Sequence, residues 1–181
     1  MTTTWNIDAT HSTIGFSIRH MVFSKVRGRF LEYTGAIKLE DDVTKSYVEV
    51  SIDAASIDTG TAQRDTHLRS ADFFDVEKFP ELRFRSTRVE DTGGGRLRVI
   101  GDLTIRDVTR EVALDAEPAG RGMDPWGNER SGFVAKTSFD RKDFGLHWNQ
   151  VLEAGGVLVS DRVDIELDVQ AVNIAARDKV A

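Results

Sequence analysis

The chain has 181 residues, a formal net charge of −6, 40% hydrophobic and 30% charged residues, and no cysteine. This composition fits a single folded domain over residues 1–181 that buries a core without disulfides, and it excludes disorder, thiol catalysis and thiolate metal sites. The acidic balance argues against nucleic acid as a partner and against docking on anionic membranes, since both require a basic field.

Period-two alternation dominates and helical periodicity is nearly absent, so the sequence predicts an all-β domain. In the first predicted strand Ile14, Phe16, Ile18 and His20 share one face, with Thr13, Ser17 and Arg19 on the other. A second strand is expected from about Gly28 to Leu39, carrying Phe30, Gly35, Ile37 and Leu39 inward, with a bulge at the unpatterned Leu31-Glu32 step. The third turns Val48, Val50, Ile52 and Ala54 inward against Glu49, Ser51 and Asp53. Alternation stops between Thr61 and Asp75, where a short helix is expected to end near Phe73-Phe74.

The strand pattern resumes after Pro80 with Leu82, Phe84 and Ser86 inward, and Gly93-Gly94-Gly95 marks a tight reversal. Leu97, Val99, Gly101, Leu103 and Ile105 form the next inward row. After the turn at Arg106-Asp107 come Val112, Leu114 and Ala116, and Pro118, Gly120 and Gly122 are expected to close that element. A loop through Asp124-Pro125-Trp126-Gly127-Asn128 precedes Phe133, Ala135, Thr137 and Phe139. The last strand, from about Val159, aligns Val163, Ile165, Leu167, Val169 and Ala171. Eight strands of roughly ten residues joined by short turns suit a closed up-and-down antiparallel β-barrel better than a sandwich, because closure removes exposed edges. The arginines Arg83, Arg85, Arg88, Arg96 and Arg98 alternate with apolar residues and read as a solvated outer face.

No run of about 18 apolar residues occurs, so no integral membrane segment is expected. Met1-Thr2-Thr3-Thr4-Trp5-Asn6 shows no basic stretch leading into an apolar one, and the expected location is cytoplasmic. The histidines His11, His20, His67 and His147 are scattered without His-Glu-x-x-His spacing, and neither a Gly-x-Ser-x-Gly elbow nor a phosphate-cradling loop is present. A His-dependent metalloenzyme is therefore the weaker alternative, and no metal, cofactor or catalytic residue is expected.

Several stretches share a more specific pattern. They are Trp5-x-Ile7-Asp8 with His11-Ser12, Gly28-x-Phe30, Ser56-Ile57-Asp58-Thr59-Gly60, Arg64-Asp65-x-His67-Leu68 and Asp72-Phe73-Phe74-Asp75. Later come Phe79-Pro80, Gly101-x-Leu103-Thr104-Ile105, Trp126-Gly127 and Arg141-x-Asp143-Phe144-Gly145. In this order and spacing, from Trp5 to about Val172, the chain resembles the YceI-like family, bacterial lipocalin-like proteins regarded as polyisoprenoid binders. The resemblance implies an extended eight-stranded barrel with a long apolar cavity, closed at one end and covered by the helical segment. It also allows a periplasmic or secreted location if a leader has been removed.

The function this implies is that of a non-catalytic carrier for a polyisoprenoid or similar long apolar lipid, such as an isoprenoid quinone or prenyl phosphate. The expected lining comprises Ile14, Phe16, Ile18 and His20 with Phe30, Val50 and Ile52, then Phe84, Leu103, Phe133, Phe139, Ile165 and Leu167. Leu68 and Phe73 from the helical segment and Phe144 near the strand end complete it. Arg64, Asp65, His67, Arg141 and Asp143 are expected as headgroup or lid contacts, with Arg64 to Asp143 or Asp65 to Arg141 pairs tying lid to barrel as the structural alternative. An eight-stranded barrel is just wide enough to be filled by its own side chains or to hold one elongated ligand. A filled barrel acting as a structural or stress-related interaction protein therefore stays open at this point, and the strand rims leave room for a homodimer.

Overall fold

The computed structural model describes residues 1–175; the last six residues of the expected domain lie outside the described residues. Eleven strands run β1 Thr3–Ile7, β2 Thr13–His20, β3 Ser24–Phe30, β4 Tyr33–Leu39, β5 Tyr47–Asp53, β6 Ile57–Asp58, β7 Glu81–Gly93, β8 Arg96–Ile105, β9 Val108–Met123, β10 Glu129–Asp140 and β11 Val159–Asn173. One α-helix, α1 Ala62–Arg69, lies between β6 and β7. The strands occupy eight staves. β1 and β2 share one stave against β11, β3 and β4 share the next, and β5 continues as β6. The remaining staves follow in the order β7, β8, β9, β10 and β11, and the β1–β11 pairing closes the ring. All pairings are antiparallel. The fold is the expected all-β, lipocalin-like barrel with one short helix.

Three local expectations change. Gly28 to Leu39 is not one bulged strand. Leu31 and Glu32 separate β3, which pairs with β2, from β4, which pairs with β1 and β5. The break is stabilised from outside, because Ser56 Oγ accepts the backbone N–H groups of both residues, at 3.1 and 3.0 Å. Second, Pro118, Gly120 and Gly122 do not end β9, which runs to Met123 opposite Glu129. A register shift between Gly132 and Phe133 absorbs the irregularity, and Pro118 has no N–H to place in the ladder. Third, the Thr3, Trp5, Ile7 row is a strand of its own, β1, ahead of the first expected strand at Thr13.

Two glycines let the wall curve inward on large side chains. Gly28 lies opposite Phe16, and a Cβ there would come within 2.4 Å of the Phe16 ring. Gly101 lies under Phe84, where a Cβ would meet the ring at 2.8 Å and the Arg85 carbonyl at 2.4 Å. In both cases the missing methyl is the space the aromatic occupies.

The densest packing is at the end where α1 and the segment after β10 cross the barrel. Phe30, Tyr33, Ile52, Ile57, Leu82, Ile105, Phe144 and Leu146 form one buried cluster there. The helix itself is almost entirely polar apart from Leu68, so an apolar face does not hold it down. Side-chain bonds to the segment before it do. Arg69 donates to the carbonyls of Ala55 and Ile57 at 2.8 and 3.0 Å, and Asp65 accepts from the Thr59 N–H and hydroxyl at 2.9 and 2.6 Å.

Candidate functional site

The inward rows enclose a cavity of about 450 Å³. That lies within the range of about 300–1,000 Å³ usual for small-molecule sites. The rows themselves record the space. Phe16, Ile18, Val50, Leu103, Phe133, Ile165 and Leu167 point inward, yet each keeps part of its surface accessible. In a filled barrel the same positions would be sealed by one another. The barrel is therefore hollow, and the filled alternative does not describe it.

The lining extends from Leu39, Val43 and Tyr47 near one end to Arg19, His20, Trp148 and Leu158 at the helix end. It includes Ile14, Phe16, Ile18, His20, Phe30, Val50 and Ile52 from the first staves. Phe84, Leu103, Phe133, Phe139, Ile165 and Leu167 continue it, and Leu68, Phe73, Arg64, His67 and Arg141 reach it from the cap. Thr59, Ser46 and Thr137 add hydroxyls. Among the described residues no Asp or Glu lines the cavity, although the chain has 30 acidic residues.

Three expected contacts are placed elsewhere. Phe144 is not on the wall; it is only 1% exposed and packs behind Phe139 at a ring-centroid distance of 5.0 Å. Asp65 is buried, and its carboxylate is taken up by Thr59. Asp143 is exposed on the short turn after β10 and does not reach the cavity. Neither expected lid pair forms. Arg64 donates to the Thr59 hydroxyl at 2.7 Å and the Thr59 carbonyl at 2.9 Å, so it braces the start of its own helix. Arg141, 2% exposed, donates to the carbonyls of Leu146, Trp148 and Ser160 at 2.7, 2.8 and 2.9 Å. Burial pushes its guanidinium below the ordinary value while Asp161 and Asp140 oppose the shift. It is thus the peg on which the loop after β10 folds back over the barrel.

That loop brings in a residue the sequence did not single out. Trp148 lines the cavity and packs against His67 at 4.6 Å and Phe73 at 5.4 Å, while His67 is hydrogen-bonded to Asp72 at 2.8 Å. The run Leu146 to Leu158 has no periodicity, and Trp148 could have been noticed only as an isolated aromatic between polar neighbours. Of the three tryptophans, Trp5 is fully buried outside the cavity and Trp126 is exposed, so Trp148 alone reports on the interior.

On the outer side, a polar corner ties the β1–β2 break to the β9–β10 turn. Arg130 donates to Asp8 at 2.7 Å, Gln170 at 2.7 Å and Asp124 at 2.8 Å. For Asp8, burial pushes the carboxyl up, but the bonds from Arg130, His11 and the Thr10 N–H outweigh it and bring it down to about 2. Burial likewise opposes ionisation of Asp124, and its bonds from Arg130 and Asn128 override it, holding that carboxyl well below the usual range. No group of three or more metal-ligating side chains converges among the described residues.

The fold and the cavity define a lipocalin-like barrel with an apolar interior. The chain belongs to the YceI-like domain family, whose model matches residues 5–171. It is 41% identical over 163 residues to a UPF0312 protein of Vibrio cholerae, covering 90% of this chain and 82% of that one. Its fold is similar to the crystal structure of Burkholderia cenocepacia BcnA, with a TM-score of 0.80, 21% identity and coverage of 91% and 98% of the two chains. It is also similar to a polyisoprenoid binding domain from Saccharophagus degradans, with a TM-score of 0.68, 15% identity and coverage of 93% and 98%.

Proposed function

We propose that the protein is a non-catalytic carrier that holds one polyisoprenoid or similar long apolar lipid in the barrel, an isoprenoid quinone or prenyl phosphate being the ligand class that fits. The observation that carries this reading is a hollow interior lined by apolar side chains from every stave and, among the described residues, by no acidic group. The structural neighbour from Saccharophagus degradans, described as polyisoprenoid-binding, supports the same ligand class. Each isoprene unit transferred from water into such a lining contributes about 4 kcal/mol gross, at about 0.8 kcal/mol per carbon. A few units therefore outweigh the rigid-body and chain entropy lost on binding.

The cationic and imidazole groups that border the cavity, Arg64, His67, His20, Arg19 and Arg141, gather at the helix end with Thr59, while the far end offers only the hydroxyls of Ser46 and Tyr47. A ligand is thus oriented with its tail inside the barrel and its head among these groups. The test is organic extraction of the freshly purified protein followed by mass spectrometry. A long isoprenoid at near-stoichiometric amount is expected. A lipid-free extract, combined with no uptake of added quinone or prenyl phosphate, contradicts the carrier reading.

A further inference from the structure

We propose that the β2–β3 hairpin is a docking tip that seats the helix end of the barrel on an anionic lipid bilayer. The inference goes beyond the carrier reading and rests on it for the purpose of docking. Its first ground is an exposed apolar tip: Met21, Val22 and Phe23, three consecutive residues, are 40%, 76% and 84% exposed. The turn chemistry makes the choice more pointed. Met21 and Val22 both have positive φ, at 52° and 68°, where glycine or asparagine is the usual occupant and a β-branched residue is strained. Apolar side chains are kept at this tip against local backbone preference.

The second ground is position. His20 and Arg19, the residues just before the tip, border the cavity, and the Met21 N–H donates to the Leu158 carbonyl at 2.9 Å. Leu158 lines the cavity, and the loop carrying it exposes Val151 and Val157 beside the hairpin. The exposed apolar groups therefore adjoin the polar end of the cavity, where the proposed headgroup lies.

The third ground is charge. Residues 9 to 31 contain four basic and no acidic side chains, in a protein of net charge −6. Arg29 is tied to Asp58 at 3.7 Å. Arg19, Lys25 and Arg27 are exposed, and among the described residues none has an acidic partner within ion-pair distance. Arg19 also stands directly across the hairpin from Lys25, an arrangement that is unfavourable alone and is relieved by an external anion. An apolar tip flanked by unpaired cations is the pattern that partitions into the interface of a bilayer containing anionic lipids. The exposed Met123 and Trp126 of the β9–β10 turn make a useful contrast, because Arg121 and Arg130 beside them are already paired with Glu129 and Asp124.

The test uses the full chain and two readouts: flotation with vesicles, and uptake of geranylgeraniol from solution. Binding to phosphatidylcholine vesicles containing phosphatidylglycerol is expected, with weaker binding to phosphatidylcholine alone and a decline as salt is raised. The double variant Val22→Asp, Phe23→Asp should partition about tenfold less or worse, and Lys25→Glu with Arg27→Glu should abolish the preference for phosphatidylglycerol. Both variants should take up geranylgeraniol like the wild type, which shows that they are folded. Wild-type protein that takes up the alcohol but ignores both vesicle types overturns docking and leaves the carrier reading intact. A dimer in sedimentation that Phe23→Asp dissolves, without vesicle binding, overturns it in favour of self-association. Vesicle binding without uptake of the alcohol supports the docking tip and counts against the carrier reading alone.

Discussion

The packed cap and the hollow wall of this barrel are built from the same kinds of residue and behave as opposites. At the cap, Ile57 and Phe144 are 0% and 1% exposed, belong to one buried cluster and stand off the cavity. Along the wall, Phe133, Ile165 and Leu167 line the cavity and keep part of their surface accessible, while Phe16 and Leu103 line it at the margin of the buried cluster. Stability is therefore concentrated at the cap, and binding capacity in the wall. A wall side chain forfeits part of its dispersion contact in the unliganded protein, and a ligand restores it.

The largest expected effect tests the cap. Phe144→Ala removes a fully buried ring that supports Phe139 and should lower unfolding free energy by about 3–5 kcal/mol in chemical denaturation. Phe133→Ala in the wall should cost only about 1–2 kcal/mol, because no sealed packing is lost there. Equal losses at the two positions would show that the wall is packed after all.

Phe16→Asp places a carboxylate on the apolar wall over Gly28 and should abolish uptake of a long quinone, with a stability loss of about 1–3 kcal/mol. Unchanged quinone affinity would mean that Phe16 does not face the ligand.

The outer polar corner gives a smaller, pH-dependent effect. Asp8 is held at about 2 in the folded protein, below its ordinary value near 3.8. A lowered carboxyl contributes stability that is fully present above the unfolded value and is lost as pH falls through the folded one. Melting temperature should thus decline between about pH 4 and pH 2, and Arg130→Met should flatten that part of the profile while lowering stability at neutral pH. An identical acid profile in the variant would remove Arg130 as the cause.

The smallest effect is expected outside. Arg85 faces solvent with only a loose contact to Glu49 at 3.7 Å, so Arg85→Ser should change stability by less than about 0.5 kcal/mol and leave uptake unchanged. A marked loss of uptake would show that the inside and outside faces of β5 and β7 are assigned the wrong way round.

These contrasts also mark how far the sequence could be read. Where one face of a strand meets solvent and the other does not, alternation reports the inward side, and the rows through Phe16, Val50, Leu103 and Ile165 lie on the cavity as that pattern requires. Alternation is silent on whether the inside is filled. Phe144 and Phe139 look alike in the sequence, yet one is sealed in the cap and the other lines the cavity, because the turn after β10 redirects the chain between them. Alternation cannot tell the β3–β4 break from a bulge, because the Ser56 hydroxyl that holds it lies 24 and 25 residues further along the chain. The charged motif residues were legible as important but not as to partner. Asp65 and Arg141 are occupied by a nearby threonine and by loop carbonyls, and no spacing rule signals either.

Trp148 offers the most direct measurement. In a protein carrying Trp5→Phe and Trp126→Phe and stripped of lipid, a long-chain isoprenoid quinone is titrated while the fluorescence of the remaining tryptophan is followed. Saturable quenching at one quinone per chain is predicted, and it should vanish with Phe16→Asp. Fluorescence that stays constant, or falls only linearly as it would for random collisions, would contradict a hollow barrel that takes an isoprenoid inside.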